Sequence, residues 1–293
     1  MIRTIIIFSA LWLIFPARTD AAEMWRPVLV QTSKTVFSRP HDVVLSPDKR
    51  FLVVADNGND DVKVLDAKSL RVLGVIGRGE LSAPHDVAFD RQGRLLVADT
   101  GNDRIALYAF KGPSGSKLMT SWGAEMGSPE GVAAAPDGRV FVTNAGLDTV
   151  LALEDGRVVH RAGGSGSGPN LYRRPHDIHV ATDGRVIVAD PGNNRLQILD
   201  RNLNFVREIS GPPYNFNEPK YLSVDKAGTL FLADEYNDRL IILGPGNHPV
   251  GIYGGVRGSA PGQLNHPEGV EVSGPHIWLA DTYNDRILLL KRP

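Results

Sequence analysis

The chain has 293 residues, a formal net charge of −1 and no cysteine. This composition excludes disulfide scaffolds, cysteine-held zinc, iron–sulfur clusters and thiol catalysis. The balanced charge argues against a nucleic-acid binder, which needs a basic surface to neutralise phosphates. The 31 glycines and 20 prolines exceed the usual share for a globular chain, which indicates a chain that turns often.

The first residues have the layout of a secretory signal peptide. Met1–Arg3 gives a short positive start, Ile5–Phe15 is an apolar run, and Pro16–Ala22 carries the small residues that suit a cleavage site. The apolar run is shorter than the roughly 20 residues that span a bilayer, so an uncleaved anchor is the weaker alternative. We therefore predict a signal peptide at 1–21 and one domain at 22–293, periplasmic or secreted, with no membrane span after cleavage.

The remaining chain repeats one unit six times. Each copy opens with a proline, and successive opening prolines are 44, 45, 46, 44 and 48 residues apart: Pro40, Pro84, Pro129, Pro175, Pro219 and Pro267. Short apolar segments separated by turn signals, at a period of 40–50 residues, predict four β-strands per copy and the blades of a β-propeller. We therefore predict an all-β, six-bladed β-propeller; a linear solenoid is the alternative, but it would expose two apolar ends.

The two ends of the chain predict how the ring closes. The sixth copy has only three strands, of which the last is Arg286–Leu290, and the segment Arg26–Thr32 is an extra strand without a unit of its own. Pairing these two segments completes the sixth blade and removes two open sheet edges.

A turn motif follows the second strand in most copies, as in Asp99-Thr-Gly-Asn-Asp-Arg104. A position with one identity in nearly every copy serves the geometry that all blades share. Asp and Asn side chains satisfy turn amides, and the Arg can reach a carboxylate. The alternative is a set of acidic metal sites, but the sequence lacks the twelve-residue calcium-binding loop of an EF-hand. We interpret the motif as structural.

The residue after each opening proline differs between copies. These six residues are ionisable: His41, His85, Glu130, His176, Lys220 and Glu268. Because the first strand of a propeller blade lines the central axis, we predict an axial ring of charged and imidazole side chains at one mouth of the channel. The turns of the motif surround the same mouth, which makes that face the candidate site for a protein, peptide or small-molecule ligand.

Imidazole and carboxylate groups that converge on an axis suit a divalent metal. Alternate blades place His85, His176 and Glu268 in one set, which is a two-histidine, one-carboxylate arrangement. The other three ring positions include a lysine, which is a competing cation. The alternative is a structural polar ring in which each histidine hydrogen-bonds to neighbouring backbone, and the residues by themselves leave both hypotheses open.

The repeat unit, Pro-x-(Asp/Gly)-Val followed by Val-Ala-Asp-x-x-Asn-x-Arg, resembles the NHL repeat over about residues 40–291. That family forms six-bladed propellers. Its peptidyl-α-hydroxyglycine α-amidating lyase branch, a group of secreted zinc enzymes, is similar to this chain in the residues that follow the prolines. The resemblance implies His85, His176 and Glu268 as metal ligands, with Asp86 in the place of a calcium-binding Asp. The metal is then zinc, with calcium or iron as alternatives.

The same resemblance implies catalytic candidates. The family's catalytic Tyr lies two residues after the Asp that ends the second strand, a position held here by Tyr236. The family's catalytic Arg falls on Ala145. Tyr236 and His41 are the acid–base candidates. We expect a monomeric, exported propeller that binds a ligand or partner around its channel; a metal-dependent lyase and a lactonase-type hydrolase are the alternatives, and the sequence does not decide whether the protein is an enzyme.

Ring closure can be tested by truncation. Deleting residues 22–37 from the mature protein is expected to abolish cooperative unfolding, because the sixth blade loses its fourth strand. Thermal unfolding followed by circular dichroism measures this. A truncated protein with an unchanged transition would contradict the closure.

Overall fold

The computed structural model describes residues 24–293, and the signal peptide predicted at 1–21 lies outside the described residues. Each repeat folds into strands because its apolar segments are short, rich in Val, Ile and Leu, and bounded by turn residues. Within 24–293, no helix is long and apolar enough to cross a membrane.

Six antiparallel sheets of four strands form the blades of a propeller, which confirms the predicted fold. The N-terminal strand β1 is Val28–Thr32. The first three blades contain β2 Pro40–Leu45, β3 Phe51–Asp56, β4 Asp61–Asp66 and β5 Val72–Ile76; β6 Pro84–Phe89, β7 Leu95–Asp99, β8 Arg104–Ala109 and β9 Lys117–Trp122; β10 Pro129–Ala134, β11 Val140–Asn144, β12 Thr149–Glu154 and β13 Arg157–Gly163.

The other three blades follow the same order. They contain β14 Ile178–Val180, β15 Val186–Asp190, β16 Arg195–Leu199 and β17 Phe205–Ser210; β18 Pro219–Val224, β19 Leu230–Asp234, β20 Arg239–Leu243 and β21 Pro249–Gly254; β22 Pro267–Ser273, β23 His276–Asp281 and β24 Arg286–Lys291. A short 3₁₀ turn joins the second and third strands of every blade: Asn57–Asn59, Thr100–Asn102, Ala145–Leu147, Pro191–Asn193, Glu235–Asn237 and Thr282–Asn284.

The N-terminal strand closes the ring as the sequence predicts. Strand β1 pairs antiparallel with β24, so that Val28 lies opposite Lys291 and Thr32 opposite Leu288. The sixth blade thus consists of one strand from the start of the chain and three from its end. This pairing converts two open edges into one continuous sheet.

The hydrophobic core is divided into six clusters, one between each pair of neighbouring blades. The cluster between blades 6 and 1 joins Val54 and Leu65 to Leu289 and Trp278. The indole nitrogen of Trp278 also donates to the carbonyl oxygen of Ala67 at 2.8 Å. The closing seam is therefore packed like the seams between consecutive blades.

The turn motif is a buried hydrogen-bond network within each blade, which confirms its structural interpretation. The Asp that ends the second strand accepts from the Arg five residues later, Nε to Oδ2, at 2.6–2.8 Å in four blades: Asp99–Arg104, Asp190–Arg195, Asp234–Arg239 and Asp281–Arg286. In blade 1 an acidic residue, Asp61, takes the Arg position, and Lys63 supplies the cation to both Asp56 and Asp61. Blade 3 is neutral at both positions, with Asn144 and Thr149.

A second hydrogen bond joins each blade to the next. The last residue of each turn is in the left-handed conformation, and its side-chain Oδ1 accepts the backbone N–H of the residue before the next opening proline at 2.6–3.0 Å. These six latches are Asp60–Ala83, Asp103–Ser128, Asp148–Arg174, Asn194–Glu218, Asp238–His266 and Asp285–Arg39. All six donor residues have positive φ, between 44° and 54°. These hydrogen bonds therefore stabilise a backbone conformation that residues other than glycine rarely adopt.

The latch that closes the ring provides a stability test. Replacing Asp285 by Ala removes the acceptor for Arg39 N–H and is expected to lower the free energy of unfolding by about 1–2 kcal/mol. Asp285→Asn is the matched control and should be nearly neutral, because Asn194 fills this role in blade 4. Urea unfolding measures both variants, and equal stability of the two would contradict the latch.

A buried carboxyl group at the channel end away from the opening prolines makes the stability of the fold depend on pH. Glu271 lines a cavity of about 190 Å³ there, and burial raises its pKa from 4.5 to about 7. Because the folded protein holds this proton more tightly than the unfolded chain, stability should fall as the pH rises from about 4.5 to about 7. Glu271→Gln should remove this part of the pH dependence, whereas Glu154→Gln, at an exposed position, should leave it intact. An unchanged profile in Glu271→Gln would contradict the assignment.

Candidate functional site

In five of the six blades a β-bulge turns two consecutive side chains of the inner strand toward the channel. In five blades the pairing between the first and second strands shifts register just after the opening proline. Such a bulge bends the strand and redirects its side chains. The residue after the proline reaches the mouth, and the following residue forms a second layer beneath it.

Three of the ring residues come together at the mouth. His41, His85 and His176 each offer a ligand atom, and these three atoms lie within 4.8 Å of one another. The ring centroids of His41 and His85 are 4.5 Å apart, and those of His85 and His176 are 5.9 Å apart. The alternate-blade set of the sequence analysis contains Glu268 in place of His41, so the arrangement in the structure differs from that prediction by one member.

Each of these imidazoles has one nitrogen against a protein oxygen. Nδ1 of His41 lies 3.0 Å from Oε2 of Glu268, and Nδ1 of His85 lies 2.9 Å from the backbone carbonyl oxygen two residues before it. Nε2 of His176 lies 3.4 Å from Oε2 of Glu130. These contacts with Glu268 and Glu130 are close approaches without hydrogen-bond geometry, and the buried Nδ1 atoms of His41 and His176 have no hydrogen-bond partner among the described residues. One nitrogen per ring is therefore left for another ligand.

Burial keeps the three imidazoles neutral. It lowers the pKa of His41 and of His85 to about 3 and lowers the pKa of His176 well below its ordinary value. The ammonium of Lys220 contributes to all three shifts. A neutral imidazole is the form that binds a metal, so no proton has to leave before a cation is bound.

Glu268 belongs to an ion-pair chain that runs from His41 toward the rim. Its Oε1 lies 3.4 Å from Nζ of Lys220, which lies 2.9 Å from Oε2 of Glu235. The other oxygen of Glu235 lies 3.0 Å from Nδ1 of His266. The carboxylate of Glu268 is therefore shared between His41 and Lys220. Glu235 and His266 are not among the residues predicted from the sequence; the signal for Glu235 is that only blade 5 has an acidic residue directly after the strand-ending Asp.

Glu130 and Lys220 border a cavity beside the histidines. This cavity of about 310 Å³ is also lined by Arg174 and His176. Burial raises the pKa of Glu130 to about 7, against the opposing influence of Arg174 and Lys220. Arg174 Nη2 lies 3.4 Å from Oε1 of Glu130. The mouth thus offers a carboxyl group that exchanges its proton near neutral pH.

The second layer contains three buried carboxyl groups, Asp42, Asp86 and Asp177. Burial raises the pKa of all three, that of Asp86 to about 6. Asp86 accepts the backbone N–H of Val132 at 2.7 Å, and Asp177 accepts that of Leu222 at 2.7 Å. These acidic residues therefore tie one inner strand to the next.

Glycine and tyrosine fill the rest of the second layer. A Cβ atom at Gly131 would lie 2.5 Å from the carbonyl oxygen of His176, and one at Gly269 would lie 2.4 Å from that of His41. This close approach explains why Gly follows Glu in the ring. Tyr221, in turn, crosses the channel and donates its hydroxyl to the carbonyl oxygen of His85 at 2.8 Å. It lies directly beneath the three histidines.

Tyr236 stands on the exposed rim. Its ring lies edge-on to His266, with centroids 5.0 Å apart, and Tyr283 lies on the other side of the same imidazole at 4.6 Å. Glu218 and Glu235 raise the pKa of Tyr236. Ala145 is buried at the start of the 3₁₀ turn of blade 3.

Comparison with known protein families identifies the repeat. The model of the NHL repeat matches residues 81–106 and 172–199. The E3 ubiquitin-protein ligase TRIM32 of Mus musculus is 23% identical over 236 residues, which cover 67% of this chain and 35% of that protein. The chloroplastic protein SUPPRESSOR OF QUENCHING 1 of Arabidopsis thaliana is 22% identical over 257 residues, which cover 69% of this chain and 24% of that protein. The chain therefore spans about a third or less of these relatives.

Solved structures agree on the fold. Virginiamycin B lyase from Staphylococcus aureus superimposes with a TM-score of 0.62 at 12% identity, covering 87% of this chain and 95% of that one. A streptogramin B lyase gives 0.64 at 14% identity, covering 92% and 97%. An auxiliary nutrient binding protein from Bacteroides ovatus gives 0.64 at 13%, covering 88% and 70%. At these identities the likeness concerns the fold alone, and the chain is a six-bladed β-propeller that carries NHL repeats.

Proposed function

We propose that the protein binds a divalent metal ion at the channel mouth through His41, His85 and His176. The observation that carries this proposal is the group of three neutral imidazoles, His176 buried and the other two partly exposed, whose ligand atoms lie within 4.8 Å of one another. Three histidines with an open fourth position are a known arrangement for zinc.

The donor set favours zinc or iron over calcium, the third metal named from the sequence. Nitrogen ligands suit zinc and iron, whereas calcium prefers six to eight oxygen atoms. A structural polar ring would satisfy both nitrogens of each buried imidazole. Instead, Nδ1 of His41 and Nδ1 of His176 have no hydrogen-bond partner among residues 24–293. The role of Asp86 as a calcium ligand stays a prediction. One of its two carboxylate oxygens accepts a backbone N–H.

Glu268 supports a histidine in this proposal and is not itself a ligand. In this proposal the carboxylate 3.0 Å from Nδ1 of His41 orients that ring so that its Nε2 binds the metal. Oε2 of Glu130 lies 3.4 Å from Nε2 of His176, which leaves Nδ1 of that ring for the metal. His41 then serves as a metal ligand, not as the acid–base group suggested by the sequence.

The ligand of this site would enter from the mouth face. A bound zinc ion would supply Lewis-acid chemistry by polarising a carbonyl or hydroxyl oxygen at its open position. The cavity of about 310 Å³ beside His176 offers room for the rest of the molecule, with Arg174 and Lys220 in its wall. We therefore propose a peptide or small-molecule ligand that carries an oxygen donor.

A metal-dependent lyase is the second candidate function. It is favoured by Glu130, whose pKa of about 7 suits proton transfer at neutral pH. The solved neighbours called virginiamycin B lyase and streptogramin B lyase share the fold. Tyr236 remains the alternative acid–base group at the rim. The signal peptide predicted at 1–21 adds that the protein acts in the periplasm or outside the cell.

Metal analysis of purified protein tests the site. After dialysis against zinc, the wild type is expected to hold one ion per chain, and His85→Ala and His176→Ala are expected to hold none. Glu268→Gln should bind zinc about 10- to 100-fold more weakly, because the carboxylate that orients His41 is lost. Atomic emission and a competition titration with a chromogenic chelator measure these values.

The control is His248→Ala, which changes a histidine away from the mouth. It should bind zinc as the wild type does. Wild-type protein without stoichiometric metal, or His85→Ala and His176→Ala variants that bind zinc normally, would contradict the proposal.

A further inference from the structure

One position at the rim of the channel holds a tyrosine in two neighbouring blades and a glycine in the other four. The second residue after the strand-ending Asp or Asn is Gly58, Gly101, Gly146 and Gly192 in blades 1 to 4, but Tyr236 and Tyr283 in blades 5 and 6. In all six blades its backbone N–H donates to the loop before the blade, at 2.8–3.2 Å. The backbone role is the same everywhere, so the fold does not require tyrosine at this position.

The two tyrosines are exposed side by side. Tyr236 is 45% exposed and Tyr283 is 54% exposed, more than any other Phe, Tyr or Trp within residues 24–293. Neither hydroxyl hydrogen-bonds to another of the described residues. His266 packs against both rings, and its Nδ1 lies 3.0 Å from Oε1 of Glu235. The imidazole that joins the two tyrosines is therefore held in place while their rings stay exposed.

An acidic group adjoins the two tyrosines. Glu218 is half-buried at the edge of the cavity that Arg174 and Lys220 also line, and it forms no ion pair with the other described residues. Its backbone carbonyl accepts the N–H of Glu235, the residue next to Tyr236, at 3.3 Å. Of the groups that act on the pKa of Tyr236, Glu218 has the largest influence, and it raises that pKa. The ring of Tyr236 thus lies in a negative field.

The ammonium of Lys220 offsets only part of this field. The ammonium of Lys220 lies between Glu235 and Glu268, at 2.9 and 3.4 Å, so two carboxylates share its one charge. Aromatic faces attract cations through the ring quadrupole, and a free carboxylate adds a direct charge interaction.

We propose that Tyr236, Tyr283 and Glu218 form a subsite for an alkylammonium group at the rim of the channel. Its ligand is an amine or quaternary ammonium compound, or a lysine side chain of a peptide. The rings cover the alkyl part and Glu218 supplies the opposite charge. The subsite lies outside the group of three histidines and does not require a metal, so it extends the proposed function without depending on it.

The test uses pairs of probes that differ in charge but not in shape. Choline is compared with 3,3-dimethylbutanol, and Nα-acetyl-lysine methylamide with the methylamide of Nα-acetyl-2-aminoheptanoic acid, in which a methyl group replaces the ammonium. Binding to the full chain, metal-free and zinc-loaded, is followed by nuclear magnetic resonance of the tyrosine ring protons. In at least one pair the ammonium probe is expected to bind about threefold or more tightly than its neutral partner. The pair that discriminates identifies the source as a small amine or a peptide.

Three variants locate the subsite. Tyr236→Gly and Tyr283→Gly introduce the residue of the other four blades, and each should weaken ammonium binding about two- to fivefold. Glu218→Gln should remove the preference for charge. Leu147→Ala, at an exposed rim position of blade 3, is the matched control and should leave binding unchanged.

Two results would overturn the subsite. One is equal binding of both members in both pairs, including no measurable binding of either. The other is a preference for ammonium that survives in Tyr236→Gly, Tyr283→Gly and Glu218→Gln. Zinc stoichiometry measured on the same variants should equal that of the wild type, so a failure here is distinct from a failure of the metal site.

Discussion

The geometry of the mouth depends on the hydrogen bond that latches each blade to the next. In every blade an Asp or Asn side chain at the end of the 3₁₀ turn accepts the N–H of the residue before the following opening proline, at 2.6–3.0 Å. That residue is held at positive φ, and the ring side chain is only two positions further along. Because the latch fixes the start of each inner strand, the six ring side chains have defined positions without a common partner.

The bulge after the proline explains why this protein buries so much polarity on its axis. It directs two successive side chains inward, so the channel holds a layer of His, Glu and Lys above a layer of Asp, Gly and Tyr. The aspartates bond to the backbone of the next inner strand, as Asp86 does to Val132. Gly131 and Gly269 leave room for the neighbouring strand where an aspartate is absent. The pairing of His with Asp and of Glu with Gly is thus a packing rule between neighbouring blades.

The candidate functional residues lie at positions where the six repeats differ in sequence. The six blades share their latches and the apolar seams between them, four of them share the Asp–Arg pair of the turn motif, and these features maintain the ring. The three histidines, the chain from Glu268 to His266, and the two rim tyrosines each occur in only part of the ring. An asymmetric site needs such sequence differences between blades, because identical blades would place the same side chains all around the axis.

The sequence by itself determined the number of blades, the strands within them, the closure by the N-terminal strand and the identity of the six ring residues. These follow from the period and from apolar patterning, which are local properties of the chain. It did not determine which ring residues converge: Glu268 was expected beside His85 and His176, whereas His41 takes that place. The partners of Glu268, namely Lys220 and His41, come from different blades. Which side chains meet depends on distances across the ring and on competition among buried charges, and only the tertiary structure decided these.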